Sequence, residues 1–167
     1  MKYMLDTNMC VYAQKRNPYV LQKIKENWEN GIAISSITLA ELEYGIKYSA
    51  NPEKNTIALM KFLSIVEVLP FDSNAAIEYG DICAALRKRG TPIGNMDMLI
   101  SAHARSENLI IVTHNTREFE RVEELKLEDW YQWYKKYKGT VVIILYCKRF
   151  FLFLQVVYEK KIVATFL

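Results

Sequence analysis

Lys2-Tyr3-Met4-Leu5-Asp6-Thr7-Asn8 is the stretch whose reading decides the fold. An apolar run of strand type ends on a carboxylate, a hydroxyl and an amide. In an open parallel sheet, ligands bind outside the carboxyl ends of the strands. Asp6 falls at such an end. A lone carboxylate there can simply cap the next helix, so what matters is whether other acids converge on it.

Outward from this strand, apolar strand-like runs alternate with helical ones. Residues 32–35, 65–69 and 109–113 read as further strands, and residues 125–127 as a short fifth. Helices are expected over residues 8–15, then from Pro18 with Tyr19, Leu21, Ile24 and Trp28 at helical spacing. A helix over residues 38–48 carries Leu39, Leu42 and Ile46 on one side. The next, over 53–65, turns Ile57, Met60, Leu63 and Ser64 inward. Ser73 caps a long helix to Arg89, packed through Ala76, Ile77, Gly80, Ile82, Ala84 and Leu86. A helix over 96–107 opens with Asp97, and residues 114–118 form a loop that Phe119 closes over the core. This alternation predicts an α/β sandwich built on a parallel sheet.

The 167 residues suffice for one domain with a proper core. Charge is unevenly spread: residues 1–134 carry a net −3 and residues 135–167 a net +6. The basic balance therefore comes from the tail and says nothing about the main domain's partners. Cys10, Cys83 and Cys147 are scattered and odd in number, which argues against a disulfide scaffold and fits a reducing, cytoplasmic setting. The start lacks a basic region followed by a long apolar one, so no signal peptide is expected. Apolar runs at 140–146 and 150–158 are split by Lys148 and Arg149, which counts against a membrane span of about 20 apolar residues. The segment 133–167 is expected to be an appendage that pairs as strands or stays poorly ordered.

Three acids fall where this architecture brings them near one sheet edge. Asp6 follows the first strand, Glu41 lies one turn into the helix after the second, and Asp97 opens the helix before the fourth. Three converging carboxylates suit a hard cation such as Mg²⁺ or Mn²⁺. Such an ion can activate water and stabilise an in-line phosphoryl displacement. Each acid also has a purely structural explanation: Asp6 as a helix N-cap, Glu41 in a capping box with Thr38, and Asp97 complementing a helix dipole. Thr7 and Asn8 can orient Asp6, and Thr113 and Asn115 face the same edge. Glu118 is either a fourth carboxylate or a solvated loop acid. Neither His103 nor His114 belongs to a zinc pattern, and no glycine-rich phosphate loop is present.

Residues 5–8, 35–45, 90–97 and 112–121 closely resemble, in colinear order, the PIN-domain toxins of the VapC family. The resemblance runs from about residue 2 to Trp130. It implies a three-layer sandwich with a five-stranded parallel sheet, occupying residues 1–132. It also implies a Mg²⁺- or Mn²⁺-dependent endoribonuclease, the toxin of a type II toxin–antitoxin pair. Such proteins are usually homodimers neutralised by a VapB antitoxin. Asp6, Glu41 and Asp97 match the family's metal-binding acids. A fourth acidic position falls at Asn115, which offers an oxygen without a charge. The subgroup most like this chain cuts tRNA, initiator tRNA in the anticodon region above all. Two other classes compete: a PIN-like RNA-binding module with an inactive metal site, and a membrane-associated protein using residues 140–158.

Overall fold

The computed structural model describes residues 1–131 with their side chains, and the backbone of residues 143–148, 151–158 and 161–165. Five short strands form one parallel sheet: β1 (Tyr3–Leu5), β2 (Ile32–Ser35), β3 (Glu67–Leu69), β4 (Ile110–Val112) and β5 (Lys126–Glu128). Their order is β3-β2-β1-β4-β5, which puts β1 at the centre. Tyr3 lies opposite Ile32 on one side and Ile110 on the other, and Leu5 lies opposite Val112. The strand order reverses at β1, so a cleft opens at the carboxyl end of β1, where Asp6 stands.

Side chains alternate across this sheet, as strand geometry requires. Tyr3 and Leu5 enter one core cluster, and Met4 enters the other. The first face is covered by α1 (Thr7–Gln14), α2 (Pro18–Glu26), α3 (Ser36–Tyr48) and α4 (Pro52–Leu63), through Met9, Val20, Leu42 and Phe62. The second is covered by α6 (Asn95–Ser106) and α7 (Thr116–Phe119), through Ile100, Ala104 and Phe119. Between these in sequence, α5 (Ser73–Lys88) packs on α6 through Ile82, Leu86 and Met98. Helices on both faces explain why β4 is apolar throughout. Among the described residues, no helix is long and apolar enough to cross a membrane.

Several helices are rotated from their expected registers. α2 buries Val20 and Ile24, while Leu21 and Trp28 are exposed. α4 buries Leu59 and Phe62 and leaves Ile57 and Met60 outside. α5 buries Ala75, Ile82 and Leu86, with Ile77 in solvent. In each case both faces carry apolar residues, and tertiary packing selects one. The cap of α5 is Asp72, which accepts from the Ala75 amide at 3.0 Å, so Ser73 is the first helical residue. Residues 116–119 form a short helix where a loop is expected.

The chain divides into two units, Met1–Gln132 and Trp133–Leu167. In the second, β6 (Ile143–Lys148), β7 (Phe151–Tyr158) and β8 (Lys161–Thr165) pair antiparallel in the order β6-β7-β8. Any disorder expected elsewhere in that segment lies outside the described residues.

Candidate active site

β1 ends by placing Asp6 at the start of α1. Asp6 is 4% exposed and accepts three kinds of donor. The Thr7 amide donates to Oδ1 at 2.6 Å. The Asn8 amide and the Thr113 hydroxyl donate to Oδ2 at 2.6 and 2.8 Å. Asp6 is thus the N-cap of α1, yet capping occupies only one of its oxygens. Burial raises its pKa, the Thr113 and Thr7 hydrogen bonds pull it back, and Glu41 pushes it up again.

Thr113, fully buried at the end of β4, ties the loop to this carboxylate. Its Oγ1 accepts from the Asn115 amide at 2.9 Å while its proton goes to Asp6. Asn8 completes the brace, since its Oδ1 accepts from the His114 amide at 3.1 Å. The strand-end loop after β4 is therefore held to the start of α1 by side chains from both.

Glu41 lies one turn into α3, and its Oε2 accepts from the Thr7 hydroxyl. A capping box with Thr38 is not what holds it. The cap of α3 is Ser35, whose Oγ accepts from the Ile37 amide at 3.0 Å. Thr38 is inside the helix, buried, and its hydroxyl has no partner among the described residues.

Asp97 sits in the first turn of α6, which has Gly94 as N-cap without a side-chain cap. A Cβ at Gly94 would stand 3.2 Å from Asp97 Oδ2, so glycine clears room for the carboxylate. A helix N-terminus favours a carboxylate by about 0.3–1 kcal/mol, which alone would lower the Asp97 pKa. Instead it is raised from 3.8 to about 6. Burial is the largest cause, followed by the charges of Asp6, Glu41 and Glu118. Burial and like charge outweigh the dipole. The Asn115 amide group donates to Asp97 Oδ2 at 3.4 Å.

Asp6, Thr7, Asn8, Glu41, Asp97 and Asn115 line one pocket of about 420 Å³ at the carboxyl edge of the sheet. Glu118 stands outside its wall and pairs with Arg121 at 3.3 Å, but its charge still reaches Asp97. Among the described residues, no three Asp, Glu, His or Cys side chains are drawn together tightly enough to hold an ion as they stand. Each of the other two acids takes a neighbouring donor: Thr7 for Glu41, Asn115 for Asp97. The donors are all oxygen, the chemistry a hard divalent cation takes.

Sequence reasoning missed three pocket residues, Val11, Tyr12 and Lys15. Their spacing from Asn8 along α1 is the available signal, since positions three, four and seven apart share a helix face. Beneath the pocket, Cys10 is fully buried with its Sγ 4.0 Å from the Leu5 carbonyl, and burial pushes its thiol pKa up. His103, buried on α6, holds Ser35 Oγ at 2.8 Å through Nδ1 and takes no place in the pocket. A second pocket, of about 470 Å³, is lined by Leu109 and Lys126 at the amino ends of β4 and β5. Arg105 pairs there with Glu78, and Lys126 donates to Asn108, so unlike the first pocket this one mixes cations with its acids.

The PIN domain model matches residues 3–125. A tRNA(fMet)-specific endonuclease VapC of Shigella flexneri is 45% identical over 130 residues, covering 78% of this chain and 98% of that protein. Ribonuclease VapC2 of Haemophilus influenzae is 46% identical over 131 residues, with the same shares. Among solved structures, VapBC2 of Rickettsia felis bound to a promoter DNA fragment contains a chain with TM-score 0.76 and 43% identity, covering 78% of this chain and 99% of that one. On the family match across residues 3–125 and these near-complete alignments, the chain belongs to the PIN-domain family, among its VapC ribonucleases.

Proposed function

We propose that this protein is a divalent-metal-dependent endoribonuclease, the toxin of a VapBC-type pair, which cuts tRNA. The observation that carries the proposal is the pocket at the carboxyl edge of the sheet. It gathers Asp6, Glu41 and Asp97, and burial, followed by repulsion from the charges of Asp6, Glu41 and Glu118, raises the Asp97 pKa to about 6. A structural role would favour relief of that repulsion, whereas a cation site requires it.

Asp6, Glu41 and Asp97 would hold Mg²⁺ or Mn²⁺, with the neutral Asn115 oxygen beside them. A bound divalent cation supplies positive charge to the phosphate in the displacement and lowers the pKa of water. Asp6 is fixed by Thr113, Asn8 and the Thr7 amide, so its carboxylate does not need to be ordered when substrate arrives. Thr7 orients Glu41, and Asn115 orients Asp97. Relatives named for tRNA(fMet) support initiator tRNA as the substrate, and VapBC complexes among the structural relatives support a VapB-type antitoxin as partner. Such a toxin acts in the cytoplasm. Exposed Tyr44, Tyr48, Ile57 and Met60 on α3 and α4 offer apolar area for that partner or for a homodimer.

Asn115, which brings an oxygen but no charge to the pocket, favours a second reading, an RNA-binding module with an inactive site. One experiment separates the two. Purified protein is incubated with initiator tRNA in EDTA, Mg²⁺ or Mn²⁺, alongside Asp97→Asn. The nuclease should cut only with metal, and Asp97→Asn should lose cleavage by orders of magnitude, because charge stabilisation by the ion is worth several kcal/mol. Millimolar metal should also raise the Tm of the wild type, by about 2.7 kcal/mol of stability at a hundredfold excess over Kd. Equal, metal-independent failure of both proteins to cut would establish the binding module.

A further inference from the structure

The pocket wall holds one cation and one aromatic ring that the carboxylate chemistry does not use. Lys15 and Tyr12 lie with Asn8 and Val11 along a single face of α1, and all four line the pocket. Lys15 is exposed, is the only cationic residue in that lining, and makes no ion pair among the described residues. Tyr12 is half-buried and held from behind. Its ring stacks on Tyr131 with centroids 4.3 Å apart and an interplanar angle of 30°. His114 packs on Tyr131 at 4.4 Å and meets the Tyr12 ring edge at 6.2 Å. Asp129 Oδ2 lies 3.0 Å from His114 Nδ1, and Asp129 Oδ1 accepts from the Tyr131 amide at 2.8 Å.

We propose that Tyr12 and Lys15 form a docking edge for single-stranded RNA beside the carboxylates: the Tyr12 ring stacks on an unpaired base, and the Lys15 ammonium pairs with a phosphate next to the one cut. The proposal rests on the nuclease reading above and assigns the residues that position its substrate. A site walled by Asp6, Glu41 and Asp97 repels a polyanion, and residues 1–134 carry a net −3, so within this unit the attraction at the site is local. Lys15 supplies it on the rim of the same pocket. A ring fixed by Tyr131 and His114 stacks a base without first being ordered, and such stacking accepts any base that is unpaired. A paired stem presents no free base face, so this edge selects loops over duplex.

Each residue also has a structural role that predicts different results. Lys15 is the C-cap residue of α1, where a cation complements the helix dipole, and Tyr12 packs against the main core cluster. Neither role affects the salt dependence of RNA binding.

The test measures binding of the full chain to a fluorescent tRNA anticodon hairpin and to a fully paired duplex, in EDTA, across a salt series. KM and kcat are then measured with Mn²⁺. Lys15→Gln should weaken hairpin binding about threefold to tenfold and reduce the log–log salt slope by about 0.7, with Lys15→Arg restoring both. Tyr12→Leu should weaken it by between about five- and a hundredfold, while Tyr12→Phe binds as wild type does. In cleavage, the losses should fall on KM, with kcat held within about twofold. Hairpin binding, salt slope and KM left unchanged by both Lys15→Gln and Tyr12→Leu would overturn the proposal, as would a wild type that binds no hairpin. Lys15→Gln alters an exposed side chain and Tyr12→Phe keeps the ring, so neither result depends on a variant that fails to fold. A wild type that binds the hairpin through these residues but never cuts it would instead overturn the nuclease reading and leave the docking edge supported. Normal cleavage with indifferent variants would do the reverse.

Discussion

Asp97 is the residue where local physics is most visible. Its pKa is raised from 3.8 to about 6, so the folded state holds its proton more tightly than the unfolded chain does. A raised acid contributes stability that is complete below its unfolded pKa and is lost as pH rises through its folded one. In EDTA, Tm should therefore fall between pH 4 and 7. Asp97→Asn should flatten part of that fall, leaving the share due to Asp6, whose pKa is raised too. Saturating Mn²⁺ should flatten it in the wild type, since the cation replaces the proton in neutralising the pocket. Thermal melts at a series of pH values check this, and a wild-type curve that rises towards pH 7 in EDTA would refute it. The acids themselves were legible in the sequence because Asp6 ends an apolar strand, Asp97 lies in the first turn of an apolar helix, and Glu41 lies within another. What could not be read was which donor each would take. Thr113 and Asn8 are over a hundred residues apart and meet on one carboxylate oxygen only after β1 and β4 pair.

At the scale of elements, α3 shows how a sequence motif can mislead. Thr38 and Glu41 have the spacing of a capping box, yet the helix begins two residues earlier, at Ser36, with Ser35 as its cap. Ser35 is occupied twice, by the Ile37 amide and by buried His103. Ser35→Ala should cost about 0.5–2 kcal/mol, and Thr38→Val should cost less, because its hydroxyl has no partner among the described residues. Urea denaturation of both variants measures the order, and a costlier Thr38→Val would restore the capping box. Glu41→Gln, by contrast, should spare stability and abolish cleavage. The rotated faces of α2, α4 and α5 have a common cause. Leu21, Ile57, Met60 and Ile77 fit a helical period as well as the residues that are buried. Periodicity finds the helix, but only packing against the sheet chooses its side. The central strands β1, β2 and β4 were easier to find, because a run covered by helices on both faces must be largely apolar, whereas the edge strands β3 and β5 carry Glu67, Lys126 and Glu128.

For the whole molecule, the two units of the chain differ in kind. The VapC relatives from Shigella and Haemophilus align over 98% of their own length with 78% of this one, and the family match stops at residue 125. We propose that residues 1–132 carry the complete catalytic domain. A chain ending at Gln132 should keep metal-dependent cleavage and a similar Tm, as measured by tRNA cutting and thermal melts; loss of either would assign residues 133–167 a role in the site or its stability. The fold of the first unit was legible because alternation of strand and helix leaves few parallel topologies. In the tail the tendency to pair as strands was legible from its apolar, β-branched and aromatic runs, but the order and register of those strands were not.

Cys10 lies one turn beyond Asp6, sealed beneath the carboxylates with a raised thiol pKa. A thiol that is both inaccessible and protonated does not react from the native state. Its alkylation rate, followed by mass spectrometry so that Cys83 and Cys147 are counted apart, is therefore a clock for opening of the pocket floor. Cys10 borders the central strand, so that clock should run at the rate of global unfolding rather than of local fraying. Mn²⁺ or the proposed antitoxin should slow it about tenfold for each ~1.4 kcal/mol of stability it adds. Labelling in cell lysate would then report, without any RNA assay, whether the chain is held by the proposed antitoxin.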